Sequence, residues 1–401
     1  MVIKPRIRGF ICTTAHPIGC VKNVEDQVSY VERRPKMEGP TNALVVGCST
    51  GYGLASRIAV AFGCGSHTLG VSLEKEPEER RPASAGWYNN VGFERCAARR
   101  DLYAKTINGD AFSNQLKQQV AEVVRAEMRP IDLLIYSLAS PVRIHPESGE
   151  MFRSSIKPIG NPLKSRTLKL NILRGTCEVE NIDLLPATDE EIDSTIKVMG
   201  GEDWILWIDA LQKAGALSQD FKTVAYTYLG NELTWPIYRG GTLGKAKEDL
   251  DRARDEINGR FGKSGAEAMI SVLKAVVTQA STAIPVVPLY FSILFKVMKA
   301  HGTHEDCIAH MYRMIGEQIY QSNRRIDDEG RIRMDNFELD ATVQDEVKNA
   351  WDSIDTSNAR DLADISGFRT EFLKLFGFGR EDVDYERDVD VHLSTSKQVT
   401  Q

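Results

Sequence analysis

Over the first 140 residues, short apolar runs alternate with stretches whose apolar positions recur every three or four residues. Ala43-Leu44-Val45-Val46, ending at Gly47, has no polar face and predicts a strand buried on both sides. A glycine-rich turn follows, then a helix over 54–62 and a second strand over 68–73. A charged segment over 75–101 holds a helix at 87–98, and a third strand is predicted at 103–108. Phe112, Leu116, Val120, Val123 and Val124 share one face of the next helix, and a fourth strand reads at 131–137. Strands and helices alternating at this spacing predict an α/β fold built on a doubly wound parallel sheet.

The rhythm breaks over 140–220, a segment rich in proline, glycine and charge. Two helices are predicted there, one opened by the capping box Thr188-x-x-Glu191 and one over 204–214. This stretch reads as an insertion covering the ligand inside a single catalytic domain of residues 1–401. The alternation resumes with a strand at 223–229, a helix carrying Ala246, Leu250, Ala253, Ile257 and Phe261, and a strand near 272–277. Beyond Pro288 the chain reads as helical to about residue 320, and residues 380–401 read as a polar, loosely held tail.

Composition narrows the function classes. A chain of 401 residues with 42% hydrophobic and 26% charged positions is not disordered, collagen-like or a coiled coil. Fifty basic against 56 acidic residues leave a net charge of −6, so no broad basic face for nucleic acid is expected. Seven scattered cysteines without a CxxC pair read as the reduced thiols of a cytoplasmic protein. The longest uncharged stretch, 275–295, contains Pro285 and Pro288 and falls short of the ~20 apolar helical residues of a membrane span. The expected partner is a small molecule, with no nucleic acid and no membrane span, and the chain is expected to be a monomer, although nothing in the composition fixes its oligomeric state.

The turn after the first strand reads Gly47-Cys48-Ser49-Thr50-Gly51-Tyr52-Gly53. A pyrophosphate needs backbone at close approach, which a Cβ would obstruct, and helix-start N–H groups aimed at it. A glycine triplet alone is weak, but this one follows an apolar strand and opens a helix. Glu74 stands at the end of the second strand, 21 residues after Gly53, where a carboxylate accepts from the adenosine ribose hydroxyls. Such a carboxylate repels the extra phosphate of NADPH, so NADH is the predicted cofactor, although Lys75, Arg80 and Arg81 lie nearby. Asp110-Ala111 and Leu138-Ala139 follow the third and fourth strands, where further dinucleotide contacts fall.

Late in the chain, Tyr238 precedes Lys247 by nine residues. A phenol near a lysine can donate to an oxyanion that develops beside a hydride donor, because the ammonium favours phenolate. On one continuous helix, nine residues make ~2.5 turns and the two side chains would diverge. Pro236, Gly240, Gly241 and Gly244 predict a loop instead, able to fold Tyr238 back over Lys247. A buried aromatic beside a solvated lysine accounts for the same residues.

Thr234-Trp235-Pro236-Ile237-Tyr238 with Gly244-Lys245-Ala246-Lys247 resembles the NADH-dependent trans-2-enoyl thioester reductases, the FabV and trans-2-enoyl-CoA reductase family. The opening stretch Arg8 to Cys20, Ser137-Leu138-Ala139-Ser140-Pro141, Lys157-Pro158-Ile159-Gly160, Val276 to Ser281 and Ile284 to Tyr290 match as well. The resemblance covers nearly the whole chain. It implies a Rossmann-type sheet enlarged by insertions, and NADH-dependent reduction of the C2–C3 double bond of trans-2-enoyl thioesters, carried on CoA, which the Glu232-Leu233-Thr234-Trp235 stretch favours, or on an acyl-carrier protein. It further implies Tyr238 as proton donor, Lys247 as nicotinamide-ribose ligand and Tyr228 as a substrate contact that can add a second hydrogen bond. The NAD contacts it implies are Gly47, Cys48, Ser49, Thr50, Gly51, Tyr52, Leu73, Glu74, Asp110, Ala111, Leu138, Ala139, Val276, Val277 and Thr278.

Two further readings stay open: a ketone or alcohol dehydrogenase using the same tyrosine and lysine, and an NADH-binding sensor without turnover. His301, His304, Cys307 and His310 have a superficial zinc spacing, but a three-residue repeat drifts ~60° per step around a helix. No metal is expected.

Overall fold

The computed structural model describes residues 1–393 and 399–400. The chain opens with an antiparallel pair, β1 (Ile7–Arg8) and β2 (Ile11–Cys12), and α1 (Pro17–Glu32). The predicted alternation follows: β3 (Asn42–Val46), α2 (Gly51–Ile58), β4 (His67–Ser72), α3 (Ala85–Ala98), β5 (Ala104–Asn108), α4 (Asn114–Glu127) and β6 (Ile131–Tyr136). Next come two antiparallel hairpins, β7 (Val142–Ile144) with β8 (Met151–Arg153) and β9 (Leu163–Asn171) with β10 (Thr176–Leu184). Helices α5 (Asp189–Met199) and α6 (Glu202–Lys213) lead to β11 (Leu217–Thr227), α7 (Thr242–Phe261) and β12 (Glu267–Val272). The remainder holds α8 (Val287–Ala300), α9 (Cys307–Met314), β13 (Ile332–Arg333), α10 (Ala341–Ser353), α11 (Ala359–Leu362), α12 (Ile365–Lys374) and β14 (Val399–Thr400).

The main sheet runs β13-β12-β11-β6-β3-β4-β5-β14, with every pairing parallel. On β3, Ala43 and Val45 pack with Val24, Leu54 and Met311 from α1, α2 and α9. Leu44 and Val46 face the other way, against Leu116, Trp204 and Leu250 from α4, α6 and α7. Helices on both faces explain why the β3 run has no polar side. A third apolar cluster joins β9, α8, α10 and α12 through Leu168, Phe291, Val347 and Phe372, and includes Tyr238 and Val277 from loops beyond β11 and β12.

Three expectations are revised. The strand placed near 272–277 lies at β12, Glu267–Val272. Its partner β11 ends at Thr227, so pairing stops while the apolar run continues into a buried loop. Within 140–220, the hairpin β9–β10 was not anticipated. Cys177 and Val179 pack inward on one phase and Ile182 and Leu184 on the other, so no single two-residue period marks the strand. In the same segment α6 is a core layer rather than a cover, with Trp204 and Trp207 fully buried.

The polar stretch from Arg380 is anchored in its described part, 380–393. Val383, Val389 and Val391 are buried, Arg380 pairs with Asp26, and the Val389 amide donates to the Met1 carbonyl. Of the expected tail, residues 394–398 and 401 lie outside the described residues. Among the described residues no helix is long and apolar enough to cross a membrane.

Candidate active site

The candidate residues stand just beyond the carboxyl ends of parallel strands, on the first turn of the helix that follows β3, or, for Tyr238 and Lys247, in the β11–α7 connection and on α7 itself. Gly47 follows β3, Leu73 and Glu74 follow β4, and Asp110 and Ala111 follow β5. Leu138 and Ala139 follow β6, Tyr228 follows β11, and Val276, Val277 and Thr278 follow β12. Parallel strands end together, so one edge of the sheet collects all of these loops, as doubly wound folds do at their ligand crevice.

The glycine turn fits a dinucleotide's phosphates. Gly47 has φ 87°, and a Cβ there would lie 2.2 Å from the Ser137 carbonyl oxygen, so only bare backbone passes. No side chain caps α2 at Thr50, which leaves its first amides directed at whatever occupies the turn. The bare Cα of Gly51 faces the Thr278 side chain, bringing the β12 loop against the β3 loop. Tyr52 turns its phenol to the Lys274 carbonyl, so it serves the turn through its backbone and ties it to that second loop.

Glu74 is half-buried and held by the hydroxyls of Ser49 (2.6 Å) and Ser84, while its backbone pairs with the Asn108 side chain. Burial pushes its carboxyl above the usual range, against the pull of the two serines. Leu73 beside it is 72% exposed, an apolar surface open to a ligand. Asp110 accepts the Phe112 amide at 3.0 Å, and Ala111 is buried. Cys48 is buried behind the turn, where Asn90 and Arg57 lie 3.7 Å from its sulfur; burial raises its thiol to about 11.

Tyr228, Tyr238 and Lys247 line one cavity of about 190 Å³, with Arg239, Glu248, Glu329 and Arg331 among the charged groups around it. Residues 232–240 form turns, and α7 begins at Thr242, so Tyr238 precedes the helix while Lys247 sits on its second turn. The loop presses onto the helix start: a Cβ on Gly244 would lie 2.2 Å from the Arg239 carbonyl oxygen. Lys157 accepts the Thr242 amide at 3.1 Å and Pro158 bridges Gly241, so the Lys157-Pro158 stretch pins this junction.

The rings of Tyr228 and Tyr238 meet edge to face, centroids 4.7 Å apart at 77°. Burial, reinforced by Glu338, holds the Tyr238 phenol above its ordinary range and therefore protonated. Lys247 donates to the Tyr226 carbonyl at 3.3 Å; burial pushes its ammonium down to about 8, opposed by Asp251 one turn on.

Sequence reasoning missed Glu338. This fully buried carboxylate accepts from Tyr228 (2.7 Å), Tyr290 (2.9 Å) and the Ala275 amide (2.6 Å). Asp335-Asn336-Phe337-Glu338 reads as a solvated stretch, and nothing in its spacing signals burial. The histidines of the zinc-like spacing each meet a carboxylate: His301 with Glu346, His304 with Glu371 and His310 with Glu305. Among the described residues no group of three metal ligands converges.

Comparison with known proteins gives consistent likenesses. The model of the trans-2-enoyl-CoA reductase catalytic region matches residues 81–320, and that of the NAD(P)H binding domain of trans-2-enoyl-CoA reductase matches 2–79. A third, described as an enoyl reductase FAD binding domain, matches 326–389. That segment packs α10 and α12 into the third core and has no glycine between β13 and α10 to cradle a dinucleotide phosphate.

The chain is 51% identical over 393 residues to the enoyl-[acyl-carrier-protein] reductase [NADH] FabV of Aeromonas salmonicida, covering 97% of each. It is 50% identical over 390 residues to the enoyl-[acyl-carrier-protein] reductase [NADH] of Saccharophagus degradans, covering 97% of this chain and 98% of the other. Among solved structures, Clostridium acetobutulicum trans-2-enoyl-CoA reductase in complex with NADH matches at TM-score 0.94 and 41% identity, over 98% of both chains. Treponema denticola trans-2-enoyl-CoA reductase in complex with NAD matches at 0.92 and 44%, over 97% of this chain and 98% of that one.

Proposed function

The chain belongs to the trans-2-enoyl-CoA reductase family, and from that premise we propose how its own residues carry the reaction. It is an NADH-dependent oxidoreductase acting on the C2–C3 double bond of trans-2-enoyl thioesters. Bound NADH supplies the hydride that adds to the β-carbon of the enoyl group. Negative charge then develops on the thioester oxygen.

Tyr238 is the donor to that oxygen and the source of the proton. Among the described residues its hydroxyl makes no hydrogen bond to protein, whereas the Tyr228 hydroxyl donates to Glu338. A donor aimed where charge appears stabilises the transition state more than the substrate, which is what accelerates the step. Lys247, held on α7 by the Tyr226 carbonyl, binds the nicotinamide ribose as an ammonium and eases proton loss from Tyr238. The turn from Gly47 to Tyr52 holds the pyrophosphate, Glu74 the adenosine ribose, and the edges at Asp110, Leu138 and Val276–Thr278 complete the cofactor's bed. Tyr228 shapes the wall of the acyl cavity.

The catalytic unit is taken as a monomer, and seven free thiols suit a reducing cytoplasm. The observation that carries the reading is the cavity that Tyr238 and Lys247 share with Tyr228, just beyond the carboxyl end of β11. The test follows NADH absorbance with crotonyl-CoA, dodecenoyl-CoA and an enoyl-acyl-carrier protein. Oxidation with at least one enoyl substrate, and none with acetoacetyl-CoA, is the expected result. Oxidation with acetoacetyl-CoA alone would make the protein a carbonyl reductase, and NADH binding without oxidation would make it a sensor.

A further inference from the structure

We propose that Glu338 is a positioning residue of the reductase site: it accepts the hydrogen bond of the Tyr228 hydroxyl, sets the Tyr228 ring against Tyr238, and so leaves Tyr238 as the one phenol free to donate to the thioester oxygen. The proposal rests on the function given above and deepens it.

The geometry is a three-way junction. Glu338 lies between β13 and α10, far in sequence from the cavity, yet its side chain is fully buried behind it. One carboxylate oxygen accepts from Tyr228 at 2.7 Å and from Tyr290 of α8 at 2.9 Å. The other accepts the Ala275 amide at 2.6 Å, one residue ahead of the Val276–Thr278 loop. Gln344 braces the junction, donating to the Glu338 carbonyl at 2.5 Å and to the Tyr290 hydroxyl at 3.4 Å. Between the two anchor points lies Val286 at φ 71°, a β-branched residue in the left-handed region that persists only where its surroundings over-determine the backbone.

A tyrosine hydroxyl has one proton. With that of Tyr228 committed to Glu338, its oxygen can present only lone pairs to the cavity. Its ring, held by that bond, is the edge-to-face neighbour of Tyr238 at 4.7 Å. Any loosening of Glu338 therefore displaces the donor, and small misplacements of a reacting group carry large rate costs. A glutamine in its place would aim an NH2 at one of three donors, so it cannot reproduce the junction.

The test is a double-mutant cycle on the full chain: wild type, E338Q, Y228F and the pair, with NADH oxidation by crotonyl-CoA, NADH affinity by titration, and a melt. E338Q is expected to lower kcat at least tenfold while the KM for NADH moves less than threefold. In the Y228F background the same substitution is expected to cost less than threefold, because its route through Tyr228 is gone. An equal loss in both backgrounds, or E338Q within twofold of wild-type kcat, overturns the proposal. Should E338Q fail to melt cooperatively, E338D replaces it in the cycle; it keeps the charge but draws the carboxylate back from Tyr228, and the same collapse in Y228F is expected. An inactive wild type with every enoyl substrate would refute the reductase reading, whereas an active wild type with an additive cycle refutes only the role of Glu338.

Discussion

Glu74 and Glu338 are both carboxylates pushed upward by burial, and the molecule uses them in opposite ways. Glu74 sits half-buried at the end of β4, bonded to two serine hydroxyls beside an exposed leucine. Serine hydroxyls rotate freely, so a ribose diol can replace them at small cost. Glu338 is fully enclosed and bonded to two phenols and an amide, each fixed by a packed ring or by backbone. The first carboxylate is arranged to exchange partners with a ligand; the second is arranged never to do so. On the proposed reading, cofactor choice belongs to the β3–β5 side of the sheet, and turnover to the side built by β11, β12 and α8.

The sharpest way to break that division is at Tyr238. Y238F is expected to lose ~10²–10³ in kcat, the typical cost of removing one oxyanion donor, while still binding NADH. Near-native turnover would remove Tyr238 from the chemistry. Because the Tyr228 proton is already committed, Y228F is expected to lose at least tenfold less than Y238F in the same crotonyl-CoA assay.

Lys247 bridges the two sides. K247M is expected to weaken both turnover and NADH affinity, and an unchanged dissociation constant by fluorescence titration would count against its contact with the ribose. In the proposed role the ammonium is the working form, and burial pushes its pKa down to about 8. Activity should accordingly fall as pH rises through about 8, a limb that K247M removes. A profile flat to pH 10 in the wild type would contradict this.

On the cofactor side, wild type should favour NADH over NADPH at least tenfold in kcat/KM. E74Q should narrow that ratio while leaving kcat with NADH within a few-fold, the converse of E338Q. The smallest effect is on stability. A carboxyl raised in the folded state binds protons more tightly there than in the unfolded chain, so its contribution is present at low pH and is lost as pH rises through the raised value. The melting temperature of E74Q relative to wild type should thus climb between pH 4.5 and neutrality, and a difference that shrinks over that range would invert the assigned shift.

The sequence by itself determined the parallel sheet, its two helical layers and the glycine-rich turn between β3 and α2. These depend on local periods and on glycines whose environment is set within a few residues, as Gly47 and the β3 run show. It also brought out Tyr238 and Lys247, because a proline- and glycine-rich loop ahead of a helix is written in consecutive residues. Tertiary structure alone decided that the apolar run at 272–277 ends pairing at Val272, because the length of β11 sets that limit. It alone revealed the β9–β10 hairpin, whose apolar phase switches midway, and the anchoring of residues 380–393 by contacts with α1 and the amino terminus. Above all it decided Glu338. A carboxylate acquires its meaning from the donors that surround it, and those on Tyr228, Ala275 and Tyr290 come from segments at least 48 residues away along the chain.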